Sequence, residues 1–169
     1  KNEELLERLS YEDSLTGLYN RNCFNQAITK LKENAPESLG VVYLDLNGLK
    51  IVNDTYGHEA GDKLIRTAAA NIRKAFGKNT FRIGGDEFVS FMISNEIDYI
   101  STIKKQIKKR SMEFNQSSEK PYYVDISVGI HKCVCDSVIN ITDLLQKSDE
   151  LLYEEKKHRR ESIRKDYIQ

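Results

Sequence analysis

Residues Val41 to Leu46 (VVYLDL) form a nearly continuous apolar run. A strand that apolar must be covered on both faces, so it belongs inside a sheet with layers above and below it. Asp45 is the one residue of the run that packing does not want. The rest of the chain supplies the layers. Phe24, Ile28 and Leu31 share one face of a helix over 21–32. Leu64, Ile65, Ala68, Ala69, Ile72 and Phe76 do the same over 62–76. A short helical piece fits Lys50–Thr55. Apolar stretches at Thr80–Ile83 and Asp86–Ile93 flank Gly84-Gly85 and predict a β-hairpin. A helix over 97–115 turns Ile97, Ile100, Ile103, Ile107 and Phe114 inward. Alternating Val124, Ile126, Val128 and Ile130 give a strand over Tyr122–Lys132. The last helix runs from Thr142, its N-cap, to Arg160, with Leu144, Leu145, Leu151 and Leu152 inward. The order lacks a strict βαβ alternation. It predicts an α+β class with a mostly antiparallel central sheet flanked by helices.

The 169 residues suit one domain with a sizeable core. Lys plus Arg and Asp plus Glu both total 26, so there is no global basic field to attract a nucleic acid polymer. Lys104, Lys105, Lys108, Lys109 and Arg110 read as a solvated helix face. No apolar run approaches the ~18 residues of a membrane helix, so no membrane contact is expected of this chain. Three cysteines without secretory features read as reduced thiols and a cytoplasmic domain, with Cys133 and Cys135 buried on one strand face. Residues 1–12 carry Leu5, Leu6 and Leu9 at helical spacing. They read as a linker helix from an upstream domain or as a frayed terminal helix. Because the chain opens at Lys1, the expectation is a fragment whose sensory domain, and any membrane span of the parent protein, lie outside it. The domain proper is then 13–169.

Three features do not serve packing. Asp45 closes an apolar strand, where an uncompensated acid is costly; a metal ion compensates it, and a turn or cap reads equally well. Gly84-Gly85 is followed by Asp86 and Glu87 at the entrance to an apolar strand. Glycines let a ligand approach backbone closely, and Asp45 with Asp86 could bracket one hard cation such as Mg²⁺. That arrangement suits phosphoryl or nucleotidyl transfer. Lys156 and Arg160, four apart, share a helix face and could clamp phosphates, although alone they are two solvated cations. In the polar stretch from Asn53 to Asp62 an amide and a carboxylate could read guanine. His58 there reads as a loop-structuring residue rather than a ligand.

Taken together these residues resemble the GGDEF family, the bacterial diguanylate cyclases. Asp13 to Arg21 (DSLTGLYNR) matches DxLTGLxNR, and Asp45 to Asp54 (DLNGLKIVND) matches DxDxFKxxND. Gly57 to Asp62 (GHEAGD) matches GHxxGD, and Arg82 to Phe88 (RIGGDEF) is the naming signature. Ser127 to Ile130 matches SxGI, and Asp149 to Arg160 is similar to DxALYxAKxxGR. The match runs from Asp13 to Arg160. Asn47, Leu49, Glu155 and Arg159 stand where the family usually has Asp, Phe, Ala and Gly.

The resemblance implies a fold related to class III nucleotide cyclases and polymerase palms. It implies condensation of two GTP into cyclic di-3′,5′-GMP with release of two pyrophosphates. The cofactor would be Mg²⁺, with Mn²⁺ as the alternative ion, held by Asp45, Asp86, Glu87 and the Leu46 carbonyl. Asp86, Glu87 and Lys50 form the implied catalytic set. Asn53 and Asp62 would bind guanine; Lys50, Lys156 and Arg160 the triphosphate; Gly84 and Gly85 the α-phosphate and ribose; Leu49 and His58 complete the substrate-binding positions. One domain holds one GTP, so a homodimer is required. The family's product-inhibition motif, RxxD, would start at Ala75 and end at Lys78, and is absent. The other readings are a catalytically silent GTP-binding module and a cyclase of relaxed base choice, which Asp62 argues against.

Overall fold

The computed structural model describes residues 10–92, 99–134 and 140–166. The named elements are α1 (Arg21–Glu33), β1 (Ser38–Leu46), α2 (Leu49–Tyr56), α3 (His58–Phe76), β2 (Thr80–Arg82), β3 (Glu87–Met92), α4 (Tyr99–Ser117), β4 (Ile126–Val134) and α5 (Ile141–Asp166). The sheet order is β2-β3-β1-β4, and every pairing is antiparallel. The apolar run is therefore an inner strand, as its composition requires.

Strand alternation sorts the two faces of the sheet. Val42, Leu44, Leu46, Phe88, Val128 and Ile130 join Leu64, Ala68 and Ile72 of α3 and Ile103 and Ile107 of α4 in one core. Leu39, Val41, Val89 and Phe91 join Phe24 of α1 and Ile141 and Leu144 of α5 in the other. Odd-numbered β1 residues thus face α1 and α5, and Asp45 is one of them. Gly129, opposite Tyr43 on this face, is where α5 presses closest. A Cβ there would collide with the Ser148 carbonyl and the Leu152 backbone. The Ser148 hydroxyl donates to the Val41 carbonyl (3.1 Å) and ties α5 to β1 as well.

Several boundaries differ from expectation. The Asn140 side chain accepts the Thr142 and Asp143 N–H groups (3.1 and 3.3 Å), so Asn140 caps α5 in place of Thr142. Leu151 is 43% exposed, on the outer side of α5, while Leu152 is buried. The helix expected from residue 62 begins at His58, because Gly57 (φ 84°) turns the chain directly from α2 into α3. β4 begins at Ile126 and not at Tyr122, since β1 ends at Leu46, its register partner. Val124 pairs instead with the Asn115 side chain, which donates to its carbonyl (2.9 Å) and accepts its N–H (2.8 Å). Ile93, Ile97, Cys135, most of the 1–12 segment and the side chains of Ile100 and Cys133 lie outside the described residues. Among the described residues no helix is long and apolar enough to cross a membrane.

Candidate active site

The site gathers at the carboxyl end of β1. Asp45 is 6% exposed, and its register partner on β3 is Glu87, so two carboxylates stand opposite each other on the α5 face. Asp86 precedes Glu87 and accepts the Leu46 N–H through its backbone carbonyl (2.9 Å). Like charges directly opposite in a ladder repel. Burial pushes the Asp45 carboxyl above the ordinary carboxylate range, and the charges of Asp86 and Glu87 push the same way. The Lys156 ammonium, 2.6 Å from Asp45 Oδ2, pulls it down without cancelling the rise.

Lys156 was expected beside phosphate and Asp45 beside a cation; the structure brings the two together. Among the described residues no group of three or more His, Cys, Asp or Glu side chains is placed to hold a metal ion unaided. The donor set fits an ion that takes one or two carboxylates and completes its shell with substrate oxygens, which is the habit of Mg²⁺.

The glycine turn is built differently from expectation. The Ile83 and Gly84 N–H groups both donate to the Glu87 carbonyl (3.0 and 3.4 Å), so the Gly84 N–H is engaged within the hairpin. A Cβ at Gly84 would meet Glu87 Oε2, whereas one at Gly85 would meet open space. Close ligand approach is thus available at Gly85, while Gly84 makes room for the Glu87 carboxylate. Two arginines hold the turn. Arg21 donates to the Ile83 carbonyl (3.0 Å). Arg82 donates to the Gly85 carbonyl (2.7 Å) and grips both Asp13 carboxylate oxygens at 3.1 Å. The Asp13 carboxyl also accepts the Thr16 N–H and hydroxyl. These roles for Asp13, Arg21 and Arg82 were not anticipated, although each lies in a quoted motif.

Beyond Asp45 the chain turns at Gly48 (φ 77°) into α2, whose first turn has no side-chain cap. Its leading N–H groups, those of Leu49 and Lys50 included, are oriented to receive an anion. Lys50 is exposed above them, and the Leu49 side chain packs on the core and against Gly61. The Asn53 side chain lies over Gly61, leaving no space for a Cβ there, and half-buried Asp62 follows on α3. His58 is exposed at the start of α3, and Arg160 is exposed one turn beyond Lys156.

Three of the departures from the family pattern have partners. The Asn47 amide donates to Asp125 Oδ2 (3.2 Å) and to the Ser127 hydroxyl (2.9 Å), facing β4 and not the acids. Arg159 forms an ion pair with Asp125. Glu155 accepts the Val128 N–H (3.0 Å) and the Lys104 ammonium (2.7 Å). No periodicity or motif in the sequence marked Asp125.

Residues 10–162 match the family described as diguanylate cyclase, GGDEF domain. The chain is 30% identical over 159 residues to diguanylate cyclase DgcP of Escherichia coli, covering 90% of this chain and 46% of DgcP. It is 33% identical over 128 residues to the cyclic di-GMP phosphodiesterase PdeB of Shewanella oneidensis, covering 74% of this chain and 15% of PdeB. It thus spans less than half the length of either relative. Its fold superposes with a TM-score of 0.80 and 23% identity on the coiled coil and GGDEF domain of DgcB from Caulobacter crescentus, solved with c-di-GMP, covering 93% of this chain and 86% of that one. This likeness bears out the expected palm-type α+β fold.

Proposed function

The chain belongs to the diguanylate cyclase GGDEF-domain family, and from that premise we propose that it condenses two GTP into cyclic di-3′,5′-GMP, releasing two pyrophosphates. The observation that carries this reading is Asp45 set opposite Glu87 beside Asp86, with Lys156 Nζ 2.6 Å away. An acidic cluster with a partly exposed ammonium at its edge suits a triphosphate that arrives with its own counter-ion.

In this reading Asn53 and Asp62 bind the guanine edge. Lys50, Lys156, Arg160 and the first N–H groups of α2 hold the triphosphate. Gly85 lets the sugar and α-phosphate lie against the hairpin. Asp45, Asp86, Glu87 and the Leu46 carbonyl would hold Mg²⁺ or Mn²⁺, which lowers the pKa of the attacking 3′-hydroxyl and offsets phosphate charge. Asp86 accepts the proton from the 3′-hydroxyl of one GTP. That oxygen bonds to the α-phosphorus of the other, and the bond to pyrophosphate breaks. A second such step closes the ring. Each protomer holds one GTP, so two protomers face each other, and an upstream sensory domain sets their geometry. Ala75 and Lys78 stand where RxxD would, so product inhibition through that position is not expected. Titration calorimetry with cyclic di-GMP tests this, and tight binding there would refute it.

Concentrated protein incubated with GTP and Mg²⁺ is expected to yield cyclic di-GMP on chromatography, and Asp86→Ala to yield none. If a form dimerised by a coiled coil fused at Lys1 binds GTP and still gives no product, the second reading replaces the first. That reading, a GTP-binding regulatory module, draws support from the similarity to PdeB, whose name is for phosphodiesterase activity.

A further inference from the structure

We propose that Arg159 is a positioning residue for Lys156: its ion pair with Asp125 keeps α5 seated on the sheet when Lys156 turns from Asp45 toward the triphosphate. The inference rests on the proposed function and extends it to a residue outside the substrate-binding set.

The contacts along α5 change character along its length. Near Gly129 the helix backbone lies directly on β4. Further on, side chains take over. Glu155 holds the Val128 N–H and Lys104, Lys156 holds Asp45, and Arg159 holds Asp125. Asp125 is tied to the residue two beyond Asp45. Its carbonyl accepts the Asn47 N–H (2.8 Å), and its Oδ2 accepts the Asn47 amide (3.2 Å). Arg159 therefore reaches, through Asp125 and Asn47, the same strand end that Lys156 reaches directly.

Substrate binding gives the two ties different fates. To donate to phosphate, the Lys156 ammonium turns at least one of its three N–H groups away from the acids, which loosens its 2.6 Å contact with Asp45 Oδ2. That weakens one of the bonds that hold this part of α5. The Arg159–Asp125 bond involves no residue assigned to substrate or cation, so it persists. Glu155 precedes Lys156 and Arg159 follows it, and together they hold the turn that carries the lysine on both sides. The Arg159 and Asp125 side chains are 36% and 42% exposed, so the pair adds little to global stability, and its effect is local geometry.

The test is a double-mutant cycle read by binding and by kinetics. Calorimetry uses a GTP analogue with a methylene bridge between the α- and β-phosphorus atoms, which cannot release pyrophosphate. Arg159→Ala is expected to weaken binding about fivefold and to raise KM by the same factor, with kcat within about twofold of wild type. Arg159→Lys restores most of the loss. In a Lys156→Ala background, Arg159→Ala adds nothing further, because the residue it positions is gone. Asp125→Asn removes the charge and keeps an acceptor for Asn47, and it reproduces Arg159→Ala should that variant fail to fold. Unchanged binding in Arg159→Ala overturns the inference and leaves the proposed function standing. So does a fivefold loss that persists without Lys156. A wild type that binds the analogue but makes no cyclic di-GMP from GTP sinks the proposed reaction while the binding cycle still decides on Arg159; a wild type that does not bind the analogue sinks both.

Discussion

A carboxylate 6% exposed, opposite Glu87 and one residue from Asp86's hydrogen bond, is held against repulsion by the Lys156 ammonium group. The two halves of that pair are unequal. The Lys156 side chain is 29% exposed and can swing to water, whereas Asp45 cannot. Asp45→Asn is therefore expected to cost less than about 0.5 kcal/mol of stability, and Lys156→Ala about 1–2 kcal/mol, by leaving a buried charge among acids. Both should abolish product. Urea denaturation beside the product assay checks the asymmetry; equal costs would mean that Lys156 does not carry the compensation. Gly61 makes a second residue-scale test. In a helix interior Gly→Ala usually stabilises by up to about 1 kcal/mol. Here the new methyl would strike the Asn53 amide. Gly61→Ala is expected to keep its melting temperature and to lose about tenfold in GTP affinity, the worth of roughly one good hydrogen bond. Calorimetry against GTP reads this.

The elements that periodicity could reach are the ones that periodicity controls. β1, the hairpin around Gly84-Gly85 and the described inward positions of α1, α3 and α4 follow from apolar spacing and the glycine pair. The misses fall where a side chain replaces a backbone partner: Asn115 standing in for a strand beside Val124, and Asn140 capping α5 ahead of Thr142. Asp45 was legible because it interrupts a hydrophobic pattern, and Asp86 and Glu87 because they stand between a glycine pair and an apolar strand. Asp125 and Arg159 interrupt none, and only the folded chain brings them together. The segment before α1 shows the same limit, since Asp13 was quotable as part of a motif but its grip on Arg82 was not. Burial raises the Asp13 pKa, and the bonds from Thr16 and Arg82 outweigh it, so the folded value lies below the usual one. A lowered carboxyl pKa stabilises the fold above the unfolded value, and that stability is lost as pH falls through the folded value. Wild type should thus lose stability below about pH 4. Asp13→Asn should flatten that part of the curve and lower the plateau above it. Melting temperatures between pH 7 and pH 3 measure both, and parallel curves would count against the assignment.

At the scale of the molecule, the proposed reaction, with one site per chain and two GTP per product, would make turnover second-order in protein. Product formed per protomer should rise with protein concentration and level off once dimers dominate, and fusing a dimeric coiled coil at Lys1 should remove the dependence. A rate per protomer that is flat from the lowest concentrations, in a species that ultracentrifugation finds monomeric, would contradict the two-protomer reaction. The arrangement of the sheet has a consequence of another kind. β2 and β4 are its outer strands, and a bare outer strand is a template on which a foreign chain can add. Beside β2, Tyr19 exchanges backbone hydrogen bonds with Thr80 and Arg82. Beside β4, the Glu155 carboxylate takes the Val128 N–H that an intruding strand would seek. The same α5 that carries a cation to the acids thus also occupies part of that outer edge. A chain cut short before Ile141 would bare that edge along with one face of the core, and it is expected to self-associate, which light scattering beside the full chain would measure.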